Sequence, residues 1–192
     1  MEHIENDGNR VKVHWRGEAS DDAEPGLRFQ VRYSHNGGTT WRGIAAGLDN
    51  DNHTVELKLL PGGTDCLIEI NASAGLRSAT AVTDVFEVPR KRRQAHIVLP
   101  RTGAKFEEGA IVPLAGGGFS PDFGTAPSND TVWTSSVLGV LGVGERVSLS
   151  GLPVGHNYVT LRVPDGMGGE ASATIAISVL RPRRHEEEFD PD

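Results

Sequence analysis

Glycine and proline interrupt this chain so often that long helices are excluded. The sequence has 24 glycines and 11 prolines in 192 residues, and its longest stretches free of both, Leu48–Leu60 and Leu76–Val88, are 13 residues long. Proline removes a backbone donor, and glycine costs about 1 kcal/mol in a helix interior. A bundle of long helices therefore cannot form, and no apolar run approaches the roughly 20 residues of a membrane-spanning helix.

A repeat divides the chain into two halves. Leu60-Pro61-Gly62-Gly63 and Leu152-Pro153-Val154-Gly155 each precede a strand, a turn and a closing strand, which end at Val88 and Val179. We interpret each copy as the last hairpin of a domain of about 90 residues. The sequence thus predicts domains over residues 1–90 and 91–180. Residues 181–192 have almost no apolar side chains and predict a disordered charged tail.

Period-two alternation of apolar residues predicts β-strands throughout both halves. The first half alternates at Val11–Trp15, Leu27–Tyr33, Val55–Leu59 and Cys66–Ala72, with shorter strands near Trp41 and at Phe86–Val88. The second half predicts strands near Ile97–Leu99, Ala110–Leu114, Val132–Ser135, Val147–Leu149, Val159–Val163 and Ala173–Val179. Turn residues between them recur at intervals typical of a β-sandwich. We expect an all-β chain of two consecutive antiparallel sandwiches.

These segments resemble known modules. Val13-His14-Trp15, LRFQVRYS and LPGG followed by IEINASAG resemble a fibronectin type III domain, in which a tryptophan such as Trp15 packs under the sheet. Cys66 stands where that family has a tyrosine, so its corner hydrogen bond is expected to be missing or replaced. Only ten residues precede Val11, which leaves little room for a first strand. Residues 94–180 resemble the Ig-like or PKD-type sandwiches of bacterial surface and secreted proteins.

Charge and cysteine content restrict the partners and leave the compartment open. The formal net charge of -7 makes nucleic acid and anionic membranes poor partners. The start MEHIENDGNR has no signal-peptide pattern, and one cysteine excludes an intrachain disulfide. By resemblance we expect an extracellular or cell-surface setting within a larger exported protein; the sequence leaves the cytoplasm open.

Ser34-His35-Asn36-Gly37-Gly38-Thr39-Thr40-Trp41 resembles the Asp-box of sialidase-type propellers, with Asn36 in the aspartate position. A propeller needs at least four blades, and this chain carries a single box. We therefore interpret the motif as a hairpin turn, in which Asn36 bonds the backbone and Trp41 folds back onto the strands. Trp15, Trp41 and Trp133 are expected to be structural.

Oxygen ligands for a structural calcium ion are present, although no EF-hand spacing is. The candidates are Asp49, Asp51, Asp122, Asp130 and Asp165. The alternative is that these residues lie in solvated turns, where aspartate is favoured in any case. Apart from this calcium, no cofactor is expected.

No catalytic arrangement stands out, and we expect no enzyme activity. The seven histidines show no HxxxH or HExxH pairing, and there is no GxSxG elbow. Cys66, in an alternating apolar strand, is interpreted as a buried small hydrophobe.

Two further segments have alternative interpretations. VLGVLGVG at Val137–Gly144 is uncharged, and it either folds over its own sheet or exposes Val137, Val140 and Val143 as a contact surface. The basic runs Arg90–Arg93 and Arg181–Arg184 are interpreted as solvated linkers rather than nucleic-acid contacts, since no aromatics interleave them.

The sequence thus predicts a non-catalytic binding or spacer module that contacts another protein or domain, or a glycan. Its oligomeric state is left open. Two alternatives are an accessory region of a secreted hydrolase of the metalloprotease type, and a structural subunit of an intracellular or virion-like assembly.

Overall fold

The computed structural model describes residues 3–17, 26–74 and 76–182. The chain separates between Lys91 and Arg92 into two compact units. Over the described residues the regular structure is β-strand except for two short 3-10 turns, Leu57–Leu59 and Ser128–Asp130. No helix in these ranges has the length and apolarity to cross a bilayer. The prediction of an all-β chain of antiparallel sheets is confirmed. The tail predicted over 181–192 lies, from residue 183 on, outside the described residues.

The first unit packs two antiparallel sheets around one core. Its strands are β1 (His3–Asn6), β2 (Arg10–His14), β3 (Arg28–Ser34), β4 (Arg42–Leu48), β5 (Asn52–Glu56), β6 (Gly63–Ala74), β7 (Arg77–Val82) and β8 (Phe86–Val88). One sheet has the order β1-β2-β5, and the other has the order β4-β3-β6-β7, with β8 also paired to β6. Alternate residues of facing strands build the core: Val11, Val13 and Trp15 meet Val31, Tyr33, Ile68 and Ile70.

The expectation that the first strand is missing is wrong. Residues His3–Asn6 pair antiparallel with β2. The connecting turn explains why so short a segment suffices: Asp7 Oδ1 accepts hydrogen bonds from the amides of Asn9 and Arg10 at 2.9 and 2.7 Å. Gly8 supplies the positive φ of 86° that this turn requires.

Two strand ends also differ from the alternation pattern. The strand predicted to include Leu57 and Leu59 ends at Glu56, and Leu59 is exposed. The last strand of the unit is interrupted over residues 83–85, between β7 and β8. There Thr83 Oγ1 accepts a hydrogen bond from the Ile68 amide at 3.0 Å, so a side chain replaces a backbone partner of β6.

The corner hydrogen bond before β6 is replaced. Tyr33, on the neighbouring strand β3, donates its hydroxyl proton to the Pro61 carbonyl at 2.6 Å. Its oxygen also lies 3.1 Å from Cys66 Sγ. The side chain that makes the corner hydrogen bond therefore comes from β3 and not from position 66. Tyr33 is almost fully buried.

We predict that Tyr33→Phe lowers the free energy of unfolding of the first unit by about 1–2 kcal/mol, because the Pro61 carbonyl loses its donor. Urea unfolding followed by tryptophan fluorescence measures this. Tyr158→Phe is the matched control, since the only other tyrosine is 54% exposed and should change nothing. Equal effects of the two substitutions would contradict the assignment.

The second unit is also a two-sheet sandwich. Its strands are β9 (Gln94–Leu99), β10 (Lys105–Glu107), β11 (Val112–Ser120), β12 (Gly124–Thr125), β13 (Val132–Ser135), β14 (Gly139–Val143), β15 (Arg146–Leu149), β16 (Gly155–Pro164) and β17 (Glu170–Leu180). The larger sheet has the order β10-β17-β16-β13-β14; the smaller has the order β12-β11-β15, with β9 on β11. Trp133 is fully buried in the core between them.

The first strand of this unit is divided between the two sheets. β9 pairs antiparallel with β11, whereas β10 pairs with β17 in parallel. Ala104, just before β10, and Phe106, within it, pack against the core from the side of the larger sheet. The alternation pattern did not predict β10, because three residues are too few to show a period.

Leu152 and Pro153 form a corner like that at Leu60 and Pro61. Both leucines are 5% exposed. The Pro153 carbonyl accepts a hydrogen bond from Asn157 Nδ2 at 2.8 Å, as the Pro61 carbonyl accepts one from Tyr33. The repeat in the sequence is thus a repeated way of entering the longest hairpin of each unit.

β11 contains three consecutive glycines, and the last of them, Gly118, lets the two sheets of the second unit approach closely. A Cβ on Gly118 would lie 2.6 Å from Val163 Cγ2, whereas a Cβ on Gly117 would meet nothing within 4 Å. Packing therefore requires glycine at position 118 but not at position 117.

We predict that Gly118→Ala destabilises the second unit by about 1–3 kcal/mol through overpacking. Gly117→Ala is the control and should be neutral or stabilising by up to about 1 kcal/mol. Thermal unfolding of both variants tests this. A harmless Gly118→Ala would show that the sheets can separate without cost.

Candidate functional site

The apolar segment Val137–Gly144 forms the β13–β14 turn and the edge strand β14. Some residues of this segment face the core of their own unit and others face solvent. Leu141 packs against the core, while Val137, Val140 and Val143 are 60%, 69% and 53% exposed. The segment therefore covers its own sheet on one side and presents valines to solvent on the other.

Glycines fix how this segment folds. Gly139 has a φ of 73° at the start of β14, which a side chain would disfavour. Gly142 faces Val147 of the next strand so closely that a Cβ would lie 2.8 Å from it. The Gly144 carbonyl accepts a hydrogen bond from Trp133 Nε1 at 2.9 Å, which ties the end of the segment to the core.

A β-bulge makes the free edge of β14 irregular. Trp133 pairs with Gly142 and Thr134 pairs with Val140, so Leu141 is the extra residue. A bulge bends and twists an edge and so hinders the addition of another strand. The β14 edge is thus poorly suited to pairing with another strand, although its valine side chains are well exposed.

These valines belong to a continuous outer face of the larger sheet. Val143 lies opposite Val132, which is followed across the sheet by Arg162 and Ser172. Val140 lies opposite Thr134, followed by Thr160 and Thr174. We call the outward positions of these four strands the valine–threonine face: Val132, Thr134, Val140, Val143, Tyr158, Thr160, Arg162, Ser172, Thr174 and Ala176.

Three threonines of the valine–threonine face have hydrogen-bond partners within it. The hydroxyls of Thr160 and Thr174 are 2.8 Å apart and share one hydrogen bond. Thr134 Oγ1 donates to the Thr160 carbonyl at 3.4 Å. Because such groups keep these bonds when water leaves, covering them costs little.

Charge is sparse and balanced on the outward side of the larger sheet. Among the described outward positions of its five strands, the charged residues are Arg162 and Lys105, which are basic, and Glu170 and Glu107, which are acidic. The whole chain carries a net charge of -7. Opposite charges therefore balance over the outward side of this sheet.

Val140 and Val143 of this face were predicted as contact residues, together with Val137 of the turn. Val132, Thr134, Tyr158, Thr160 and Thr174 were not singled out. The predicted strand Val159–Val163 contained the signal, since its even-numbered residues must face outward if Val159 and Val163 are buried. What the sequence could not show is which strands lie side by side.

The calcium candidates are dispersed. Asp49 and Asp51 line an open cavity of about 510 Å³ together with Trp15 and Phe29, while Asp122, Asp130 and Asp165 are in the second unit. The described residues contain no group of three or more His, Cys, Asp or Glu side chains that could hold a metal ion. A calcium site stays a prediction without a geometry.

Asp165 has partners within the protein. Its Oδ1 accepts hydrogen bonds from the amides of Met167 and Gly169 at 2.7 and 2.9 Å, and its Oδ2 accepts one from Arg92 Nη1 at 2.6 Å. These amides, and then Arg92, lower the pKa of the carboxyl below its ordinary value of 3.8. Asp165 thus holds the β16–β17 turn.

Three of the four residues of Arg90–Arg93, which was interpreted as a solvated linker, also make contacts with the protein. Lys91 Nζ donates to the Leu60 carbonyl at 2.8 Å in the first unit. In the second unit Arg92 binds Asp165, and Arg93 Nη2 donates to the Phe123 carbonyl at 2.7 Å. Lys91 and Arg93 thus bind backbone carbonyl groups near strand ends. Composition alone does not show that such carbonyl groups lie within reach of the basic run. Of the second basic run, Arg183 and Arg184 lie outside the described residues.

Asn36 organises the turn between β3 and β4. Its Oδ1 accepts hydrogen bonds from the Thr40 amide at 2.9 Å and the Ser34 hydroxyl at 3.0 Å. Gly37 and Gly38 have φ angles of 63° and 84°. Trp41 lies under the Arg32 guanidinium, 5.5 Å from it. The motif forms a hairpin turn, as the residues predict.

Cys66 is buried and free in the first unit. Burial raises the pKa of its thiol above the ordinary value of 9.0, although the Tyr33 hydroxyl opposes this. A thiol of this kind is a poor nucleophile at neutral pH.

Comparisons with known proteins give fold similarities. No family model matches the chain, and no curated protein does. Similar solved structures include the fibronectin(III)-like modules of Clostridium thermocellum CbhA, with 9% identity, 94% of this chain and 92% of that chain covered, and a TM-score of 0.41. The mouse nectin-like molecule 4 ectodomain (Ig1–Ig3) has 16% identity, 95% and 64% coverage, and a TM-score of 0.42. The S-layer protein SbsC domains 4 and 5 have 14% identity, 88% and 80% coverage, and a TM-score of 0.35. At this level the similarity concerns the fold alone.

We predict that Asp165→Asn lowers the melting temperature of the second unit at neutral pH. The lowered pKa means that the carboxylate's contribution is complete above about pH 4 and is lost as the pH falls through the folded-state pKa. The difference between variant and wild type should therefore shrink at low pH. Asp130→Asn, at an exposed turn, is the control. A pH-independent difference would contradict this role.

Proposed function

We propose that this chain is a non-catalytic module that binds another protein through the valine–threonine face of its second unit. The observation that carries the proposal is the exposure of Val140 and Val143, 69% and 53%, on an uncharged strand. Exposed apolar side chains grouped on one face are typical of protein contacts. Scattered single ones would need no such explanation.

Three features of the face support a protein partner. It is continuous over four paired strands; the hydroxyls of Thr160 and Thr174 are bonded to each other; and Tyr158, an aromatic that is frequent at interfaces, is 54% exposed. A glycan would instead call for a polar groove with unpaired donors. The balance of charge over the outward side of the larger sheet favours a partner surface without a strong charge of one sign.

The setting expected for such a module, a larger exported bacterial protein, stays a prediction. So do the alternatives of an accessory region of a secreted hydrolase and a subunit of an assembly. In each of them the chain contributes binding rather than chemistry, so we expect no turnover in a hydrolase screen on the purified chain. Reproducible turnover would contradict the proposal.

Capture of a partner by immobilised protein tests the binding face. We expect a protein captured by the wild type, and then purified, to bind at least about tenfold more weakly to Val140→Asp/Val143→Asp. Val98→Asp is the matched control, since Val98 is 59% exposed on β9 of the other sheet. Equal binding to all three proteins would contradict the assignment of the face.

A further inference from the structure

We propose that the second unit keeps the basic run Arg90–Arg93 closed to endoproteases that cut after arginine or lysine. It does so by binding Arg92 and Arg93 against two of its own turns, β11–β12 and β16–β17. This role is separate from binding through the valine–threonine face. We call the acceptor groups of the two turns the arginine seat: the Asp165 carboxylate and the backbone carbonyls of Phe123, Gly124, Pro164 and Asp165.

The basic run has the chemistry of a cleavage site. An endoprotease of the trypsin class binds an arginine or lysine side chain in a pocket with an aspartate at its base. It then adds one water across the following peptide bond, which yields a carboxylate and an amine. Four consecutive basic residues offer four such bonds. The run also spans the division of the chain between Lys91 and Arg92, so a single cut there would separate the two units.

Arg93 makes the most contacts with the arginine seat. Its Nη2 donates to the Phe123 carbonyl at 2.7 Å. Its Nη1 and Nε donate to the carbonyls of Pro164 and Gly124, both at 3.2 Å. The Arg93 amide donates to the Asp165 carbonyl at 2.9 Å, and its guanidinium lies 5.7 Å from the centre of the Phe123 ring. While these bonds last, the side chain cannot enter the pocket of a protease.

The two residues before Arg93 are also bound, each to its own unit. Arg92 Nη1 lies 2.6 Å from Asp165 Oδ2; the Arg92 side chain is 64% exposed and that of Asp165 only 3%. An ion pair with so exposed a partner contributes little, so Arg92 is held less firmly than Arg93. Lys91 Nζ donates to the Leu60 carbonyl of the first unit at 2.8 Å. Cutting any bond within the run therefore requires local opening of the chain.

Glycines in the β16–β17 turn make room for the arginine seat. A Cβ on Gly166 would lie 2.6 Å from the Phe123 ring, and one on Gly169 would lie 2.9 Å from Asp165 Oδ2 and 3.5 Å from Arg92 Nη1. Contacts under 3.0 Å would displace the ring and the carboxylate. The turn is thus shaped so that Phe123 and Asp165 stand where the two arginines need them.

The chain before the run is packed closely as well. A Cβ on Gly62 would lie 2.5 Å from the Val88 carbonyl oxygen and 2.6 Å from the carbonyl carbon of Pro89. The equivalent position in the second copy of the Leu-Pro repeat is Val154, which is 40% exposed. Glycine at position 62 therefore lets the segment leading to the basic run lie against the first unit.

Digestion of the full chain with trypsin, followed by mass spectrometry that locates each cut, tests the proposal. A synthetic peptide of residues 84–97 gives the rate for the same bonds without the fold. We expect the bonds of Arg90–Arg93 to be cut at least about a hundredfold more slowly in the protein, because cleavage follows the population of the open form. Equal rates in protein and peptide would overturn the proposal.

Substitutions in the arginine seat should expose the run. Relative to a peptide with the same substitution, Arg93→Gln should speed cleavage within the run by about tenfold, because several carbonyl contacts are lost. Asp165→Asn keeps an oxygen for the amides of the turn but loses the charge that binds Arg92, so we expect about threefold. Asp130→Asn is the matched control and should cut as the wild type does. An unchanged rate in Arg93→Gln would overturn the seat.

The positions of the cuts separate local opening from unfolding of the whole unit. Gly118→Ala loosens the second unit away from the run, so it should speed cleavage at Lys105, Arg146 and Arg162 together with the run. Arg93→Gln should speed cleavage in the run alone. If Arg93→Gln instead speeds all of these cuts in parallel, the run is protected only by the folding of the unit, and the proposed local protection is wrong.

Discussion

The turn that carries the chain from one sheet to the other before the longest hairpin controls the architecture of each unit. In both units a buried leucine anchors this turn, and a side chain from the core captures the following proline carbonyl. Tyr33 donates to Pro61, and Asn157 Nδ2 donates to Pro153. These bonds fix where β6 and β16 begin. Because side chains alternate along a strand, the starting point decides which residues of the hairpin become core and which become surface.

The candidate binding face follows from that register. With Asn157 turned inward, Val159, Leu161 and Val163 enter the core, and Tyr158, Thr160 and Arg162 must face outward. The edge strand β14 then adds Val140 and Val143 to the same side, since Leu141 is used as a bulge that packs inward. A shift of β16 by one residue would bury the charge of Arg162 and expose three core residues, so the face and the core are specified together.

Much of the fold could be predicted because alternation and turn residues are local signals. The buried faces of β2, β3, β6 and β16 follow from their apolar periods, and the Leu-Pro repeat locates the last hairpin of each unit. The rest depends on contacts distant in sequence. Arg92 looks like part of a solvated basic run until Asp165, 73 residues away, is brought beside it. The threonines of the valine–threonine face look like ordinary outward residues in the sequence. Only the placement of β13, β16 and β17 in one sheet brings them together.

Binding through the valine–threonine face, and not through another part of the surface, is tested most directly by NMR, since each amide reports separately. Isotope-labelled chain is titrated with the purified partner protein from the capture experiment. We expect chemical-shift changes clustered at Thr134, Val140, Val143, Tyr158 and Thr160, with β9 and β11 unchanged. Changes centred instead on the opposite sheet, around Val98 and Phe119, would contradict this assignment of the binding face.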